Sequence, residues 1–390
     1  MRASRIGAGR RSSWGPPRST PSRFFGTTTS VSFDDTTARM EWAECWLEPT
    51  PVPPELARDV RRMTGGVVPA WATHLARVPW VVRATGRFAE KRIAYMPLEL
   101  WDLIAFVVSQ DNSCRFCYGA TRAMLSVRGY RDDQIDRLER DVHLADLTRA
   151  ERAALDFARK VSHANPRPAA ADRMALAVAG LSAPAVAEIA YATAATGFPN
   201  RISTFFALRP EAIERWVRNP LFRLVRPIAA RMMRGKHKRP RPAPSAGPCG
   251  DVVAALGDAP AATTLRTTID EALASPVLPR RTKLLMLGVI GRALGCDRSE
   301  IEAREALADE GLGRADVDTI LTNLGSPMLD RRDALLVPFA RETVRYQNGI
   351  IQRRVRELAS TLSLDEVVEA AGVAALANVV ARLSVLLETC

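Results

Sequence analysis

Hydrophobic positions in this chain fall at helical rather than alternating spacing. Leu98 to Ser109 is a nearly continuous apolar run, long enough for a buried helix. Thr148-Arg-Ala-Glu151 has the form of a capping box and opens a helix running toward Val161. Ser363-Leu-Asp-Glu366 is a second box at the start of the last helix, and Asp297-Arg-Ser-Glu300 is a weaker third. No alternating runs of Val, Ile, Thr or Tyr lie between tight Asn-Gly turns. The expected fold class is all-α.

The helical pattern also repeats. At an offset of 182 residues, Pro97 meets Pro279, Leu103 meets Leu285, Cys114 meets Cys296 and Arg122 meets Arg304. Gly129 then meets Gly311, Asp136 meets Asp318, and Phe157-Ala-Arg159 meets Phe339-Ala-Arg341. After a slip of one residue, Glu188 meets Glu369 and Arg201-Ile-Ser203 meets Arg382-Leu-Ser384. A shared register of this length exceeds what common helical composition produces. Two copies of one helical unit, packed as an internal pseudo-dimer, are the expected architecture.

Composition bounds the function classes. A chain of 390 residues suggests two or three domains, and 47% hydrophobic with 25% charged residues excludes wholesale disorder. Abundant alanine with only 6% aromatics favours helices over a β-sandwich. Six cysteines are too few for a disulfide scaffold, so a reducing, cytoplasmic setting is expected. No stretch reaches about 18 uncharged apolar residues, so no membrane-spanning helix is expected.

The net charge of +12 is localised. Residues 1–33 carry six arginines and no acid, and residues 215–241 carry ten basic residues and no acid. Together these exceed the whole surplus, so the rest of the chain is mildly acidic. A nucleic-acid-binding domain is therefore not expected. Arginine mixed with Trp216, Leu221, Val225 and Ile228 in the second segment suits weak contact with an anionic membrane surface. Pro220 and Pro227 argue against one continuous helix there.

The expected division is a disordered basic tail over 1–39, a helical domain over 40–214, a basic Pro-rich connector over 215–262 and a second, degenerate helical domain over 263–390. The tail lacks the apolar core of a secretory signal and resembles a transit peptide in composition; Met40 is an alternative start.

One motif stands out: Ser109-Gln-Asp-Asn-Ser-Cys114-Arg-Phe-Cys117-Tyr-Gly-Ala-Thr121. Asn112 or Ser113 is the expected N-cap of a following helix, which puts Cys114 in the first turn and Cys117 on the same face. A helix start carries partial positive charge and unpaired N–H groups, both of which stabilise a thiolate. Such a thiolate can attack a peroxide or disulfide and be resolved by its neighbour into an internal disulfide. Two buried structural cysteines are the competing reading. Half of a zinc site would need a second pair, and His74, His143, His163 and His237 lie at no ligand spacing, so no metal and no cofactor is expected. Cys45, Cys249 and Cys390 have no motif around them.

Val108-Ser109-x-x-Asn112-x-Cys114-x-x-Cys117, with Gly129-Tyr130 and Asn200-Arg201, resembles the alkylhydroperoxidase D-like branch of the carboxymuconolactone decarboxylase superfamily. The likeness covers roughly residues 55–210, with a degenerate echo over 263–388. It implies an all-helical homo-oligomer that reduces a small hydroperoxide or disulfide through the cysteine pair, drawing electrons from an unidentified thiol donor. It also implies a catalytic carboxylate twelve residues before the first cysteine, here Asp102 in place of glutamate. Four residues after the second cysteine the family has histidine and this chain has Thr121, which cannot act as a base near neutral pH. The candidate catalytic set is thus Cys114, Cys117, Asp102 and Thr121. The second copy has Leu284, Cys296, Ser299 and Ala303 at these positions and is expected to be a structural partner. Other readings are a non-catalytic oligomerisation or membrane-associated protein on a decayed fold, and a decarboxylase-type lyase.

Overall fold

The computed structural model describes residues 36–37, 39–163, 168–210, 213–217, 219, 221–233 and 235–387; among them all regular structure is helical. In chain order the first helices are α1 (Pro54–Thr64), α2 (Ala70–Leu75), α3 (Pro79–Ala89), α4 (Leu98–Asp111), α5 (Arg115–Arg128) and α6 (Asp132–Arg140). Next come α7 (Arg149–His163), α8 (Ala170–Val178), α9 (Ala183–Phe205), α10 (Ile213–Val217), α11 (Phe222–Met233) and α12 (Gly250–Ala254). The chain then continues through α13 (Pro260–Ala274), α14 (Arg280–Leu294), α15 (Asp297–Asp309), α16 (Arg314–Asn323), α17 (Arg331–Glu342), α18 (Asn348–Leu358) and α19 (Leu364–Leu387).

Two of the three capping boxes form. Thr148 N donates to Glu151 Oε2 at 2.8 Å while Glu151 N donates to Thr148 Oγ1 at 3.2 Å. Ser363 and Glu366 do the same at 2.9 and 3.3 Å. The third does not: Asp297 is already inside α15, Cys296 is the cap residue, and Glu300 turns sideways to Arg292 and Arg304. A strong charge partner has taken the carboxylate away from the backbone.

The core is organised around α9 and α19, the two longest helices, which pack on each other and are buried along most of their length. Their alanine, glycine and threonine content lets the backbones approach closely. Helix α3 crosses α19 at Gly372, where a Cβ would sit 2.6 Å from Val81 Cγ2. By length and composition α19 could cross a membrane, but 89% of its apolar window is buried inside the protein.

Each long helix carries a fully buried glutamate that braces the loop before a neighbouring helix. Glu188 accepts the backbone N–H groups of Ala94, Tyr95 and Met96 at 2.6–2.8 Å, just before α4. Glu369 accepts from Trp80 Nε1 at 3.1 Å and Ser275 Oγ at 2.5 Å, just before α14, and pairs with Lys283 at 2.7 Å. Removing one member of such a buried pair typically costs about 3–5 kcal/mol, because the other charge is stranded.

The segment 215–262 differs from the connector expected of it. It holds the end of α10, then α11 and α12, and runs into α13, which begins at Pro260. Pro227 lies inside α11, and the chain breaks between α10 and α11 instead. The Pro-rich stretch lies along the body: Lys238 N donates to Ile93 O at 2.9 Å, and Arg241 N donates to Asp258 O at 2.7 Å. Proline removes helical hydrogen bonding, and the remaining N–H groups find partners on neighbouring loops instead. The tail expected over 1–39 lies outside the described residues except for positions 36, 37 and 39.

Candidate functional site

Helix α4 delivers the chain to the cysteines through a tight turn. Asn112 closes α4 by donating its side-chain Nδ2 to Val108 O at 2.9 Å. Ser113 has φ +51°, a left-handed conformation that costs a non-glycine residue on the order of 1–2 kcal/mol. It is held there by its own N–H on Gln110 O at 2.9 Å and by Cys114 N on Ser109 O at 3.0 Å. Gly295, 182 residues on, has φ +62° at the same point of the second half, where no side chain resists.

Cys114, not Asn112 or Ser113, is the N-cap of α5. Its Sγ accepts the N–H of Cys117 at 3.3 Å, the bond an N-cap serine or aspartate would accept. Sequence spacing alone favours the usual cap residues, but Asn112 is committed to α4 and the turn advances the helix start by one position. Cys117 Sγ lies 3.8 Å from Ser203 Oγ on α9. Both cysteines are free and buried, Cys114 completely. Burial pushes the Cys117 thiol well above 9.0, and negative charge on Cys114 pushes it further the same way. Burial thus favours the neutral thiol at Cys117, while Cys114 occupies the N-cap position of the helix. Cys249, at the N-cap position of α12, is pushed up to about 12 by burial and by the Glu302 carboxylate beside it.

The motif's other residues build this turn. Ser109 Oγ donates to Asn200 Oδ1 at 3.2 Å, and Asn200 Nδ2 donates to Val108 O at 3.4 Å, clamping the end of α4 to α9. At the start of α5, Arg115 makes a bidentate pair with Glu214, both bonds 3.0 Å long. Gly119 makes this possible, since a Cβ there would lie 1.9 Å from Glu214 Oε1.

The other two members of the candidate set go elsewhere. Asp102 Oδ2 accepts from Lys91 Nζ at 2.5 Å and from Arg128 Nε at 3.0 Å, toward the far end of α5. It is a buried counter-ion to two cations and makes no hydrogen bond to either cysteine. Thr121 donates its hydroxyl to Cys117 O at 2.8 Å, with Tyr118 O at 3.1 Å, so it serves its own helix backbone. The structure thus brings Cys114 and Cys117 together, while the Asp102 and Thr121 side chains bond to other groups than the two sulfurs.

Residues beside the turn that sequence reasoning did not assign come from distant parts of the chain. A cleft of about 640 Å³ is lined by Ser113, Arg201, Tyr346 and Asn348, among others. Asn348 Nδ2 donates to Ser113 O at 2.7 Å, which pins the loop before α18 onto the cysteine turn. Arg201 is buried, and its guanidinium lies 5.8 Å from the centroid of the Tyr346 ring. Arg201 had a signal, as half of the Arg-Ile-Ser repeat match. Tyr346 and Asn348 had none, because nothing local marks a loop that another part of the chain will need. Cys296 stands at the N-cap position of α15 without a side-chain cap bond; its Sγ lies 3.2 Å from Ser299 Oγ, and it is disulfide-bonded.

The chain matches no protein-family model and no curated protein. Among solved structures, the crystal structure of the debrominase Bmp8 in its apo form is similar at 24% identity and a TM-score of 0.38, covering 45% of this chain and 96% of that one.

Asp102→Asn should therefore act on stability rather than chemistry. Stranding Lys91 and Arg128 is expected to cost about 3 kcal/mol in urea unfolding, while Cys114 and Cys117 should oxidise at the parent rate. Slower oxidation with unchanged stability would place Asp102 in the reaction after all.

Proposed function

We propose that this protein is a thiol-dependent oxidoreductase that reduces a small hydroperoxide or disulfide through Cys114 and Cys117, with an alkylhydroperoxidase D-like site. The observation that carries the reading is the placement of Cys114 Sγ on the Cys117 N–H at the start of α5, with a neutral Cys117 thiol beside it. The Cys114 thiolate attacks, and Cys117 closes the disulfide. A thiol donor then restores both cysteines. The Val108-Ser109, Asn112 and Cys-x-x-Cys residues support the family assignment.

In a single turnover with hydroperoxide, the reduced protein should form a Cys114–Cys117 disulfide, visible by peptide mass mapping. Cys114→Ser should abolish it. Cys117→Ser should instead accumulate a sulfenic acid on Cys114 that a dimedone adduct reports. Parent-rate peroxide consumption by Cys114→Ser would overturn the assignment.

The two halves are read as copies of one unit packed as an internal pseudo-dimer. Helix bounds recur close to the 182-residue offset, and Arg122 on Asp136 is matched by Arg304 on Asp318. Helix α9 faces α19, as copies about a two-fold would. A fragment of residues 36–245 would bare the small-residue face of α9. It should elute as an associated species in size-exclusion chromatography, and a soluble monomer of full activity would argue for independent domains.

A second reading, contact with an anionic membrane, is favoured by one patch. Trp216, Leu221, Val225 and Ile228 are all exposed, the last three at helical spacing on the α11 side, within a segment that has ten basic residues and no acid. Vesicles rich in phosphatidylserine should sediment the protein, and Trp216→Ala with Ile228→Asp should release it. Equal sedimentation with phosphatidylcholine vesicles would count against lipid charge as the attraction.

A further inference from the structure

A hydroperoxide-cleaving thiolate leaves an alkoxide that needs a proton. In the resembled family a histidine stands near the pair, but here Thr121 is committed to its own helix backbone. The second half supplies a different group. The segment 343–348 reaches across from the end of α17 and is fastened at both ends of its run. Thr343 O and Val344 O accept from Arg201 at 3.3 Å and Arg382 at 2.8 Å, and Asn348 holds Ser113 O. Between these anchors, Tyr346 lines the cleft beside the cysteine turn, its ring packed edge-on against Phe205 at 5.6 Å. Tyr346 Oη is buried and makes no well-formed hydrogen bond, and neither does the neighbouring Thr204 Oγ1. The Thr204 hydroxyl is its polar neighbour, and a buried phenol held by no more than that is a reason to look for its use.

Resting on the redox reading above, we propose that Tyr346 is a catalytic residue, the proton donor to the oxygen that leaves when the Cys114 thiolate cleaves a hydroperoxide. The degenerate half would then complete the site of the other half rather than merely support it. Burial raises the pKa of Tyr346, Arg201 lowers it, and charge on Cys114 raises it, for a net rise. The phenol is thus fully protonated when the thiolate attacks. Arg201 over the ring and Arg382 nearby then favour the phenolate that is left behind.

The steps balance. Cys114 sulfur forms a bond to the terminal peroxide oxygen, the O–O bond breaks, and the alkoxide takes the Tyr346 proton to leave as alcohol. Tyr346 regains a proton from water in the cleft. Cys117 sulfur then attacks the Cys114 sulfenic acid, the S–O bond breaks, and hydroxide leaves with the Cys117 proton as water. The net reaction consumes one hydroperoxide and one solvent proton, oxidises one thiolate and one thiol, and yields one alcohol, one water and one disulfide.

Tyr346→Phe removes only the hydroxyl and keeps the ring contacts with Phe205 and Arg201. The test mixes reduced full-length protein rapidly with either of two oxidants and follows formation of the Cys114–Cys117 disulfide. Cumene hydroperoxide releases an alkoxide that needs a proton. Dithiodipyridine releases a stable thiopyridone that does not. The variant should react with cumene hydroperoxide about 10²–10⁴-fold more slowly and with dithiodipyridine at the parent rate. Parent-rate peroxide reaction in the variant would overturn the proposal, and so would an equal slowing with both oxidants, which would make the residue structural. The redox reading fails separately, by parent protein that forms no disulfide with either oxidant, and the proposal falls with it.

Discussion

The contact between α9 and α19 is the constraint on which the rest of the structure depends. Each helix is too apolar to face water along most of its length, so each must cover the other. Close approach demands small residues, and Gly372 is the limiting case, since α3 occupies the space its Cβ would need. The buried polar groups on these helices are then fixed by geometry. Glu188 and Glu369 brace the loops before α4 and α14, so the position of each half's first repeated helix is set from the long helix behind it.

The same contact decides what surrounds the cysteines. Arg201 and Arg382 sit deep in the interface with backbone carbonyls among their partners, and burial pulls the pKa of both down. Two guanidinium groups in such a place are expensive unless their field is used. They hold the 343–348 segment in place, and Asn348 in turn bonds to Ser113 O on the turn that precedes the cysteines. The strain at Ser113, relieved by glycine at the matching position in the second half, is tolerated within this over-determined setting.

Much of the scaffold was legible because its signals are local. The Thr148–Glu151 and Ser363–Glu366 boxes need only neighbours three residues apart. The apolar run of α4 and the 182-residue offset are likewise visible without a structure. Local rules failed where a side chain had a choice of partners. Asn112 and Ser113 are good N-caps in isolation, yet Asn112 ended α4 and Cys114 became the cap. Glu300 left the backbone for two arginines. Asp102 fell at the position of a family carboxylate, but Lys91 and Arg128 claimed it.

The sequence by itself determined the helical class and the Cys-x-x-Cys spacing at a helix start, because both depend on residues within one or two turns of each other. Only the tertiary structure decided which groups share the site. Cys117 meets Ser203 across 86 residues and Asn348 meets Ser113 across 235, contacts whose registry is set by how α9 and α19 pack. It also decided that the Pro-rich segment lies along the body, since backbone N–H groups freed from helices take whichever carbonyls the fold places beside them. Hydrogen-bond partners that lie far apart in sequence leave no periodic trace in it, and the surroundings of the cysteine pair consist largely of such partners.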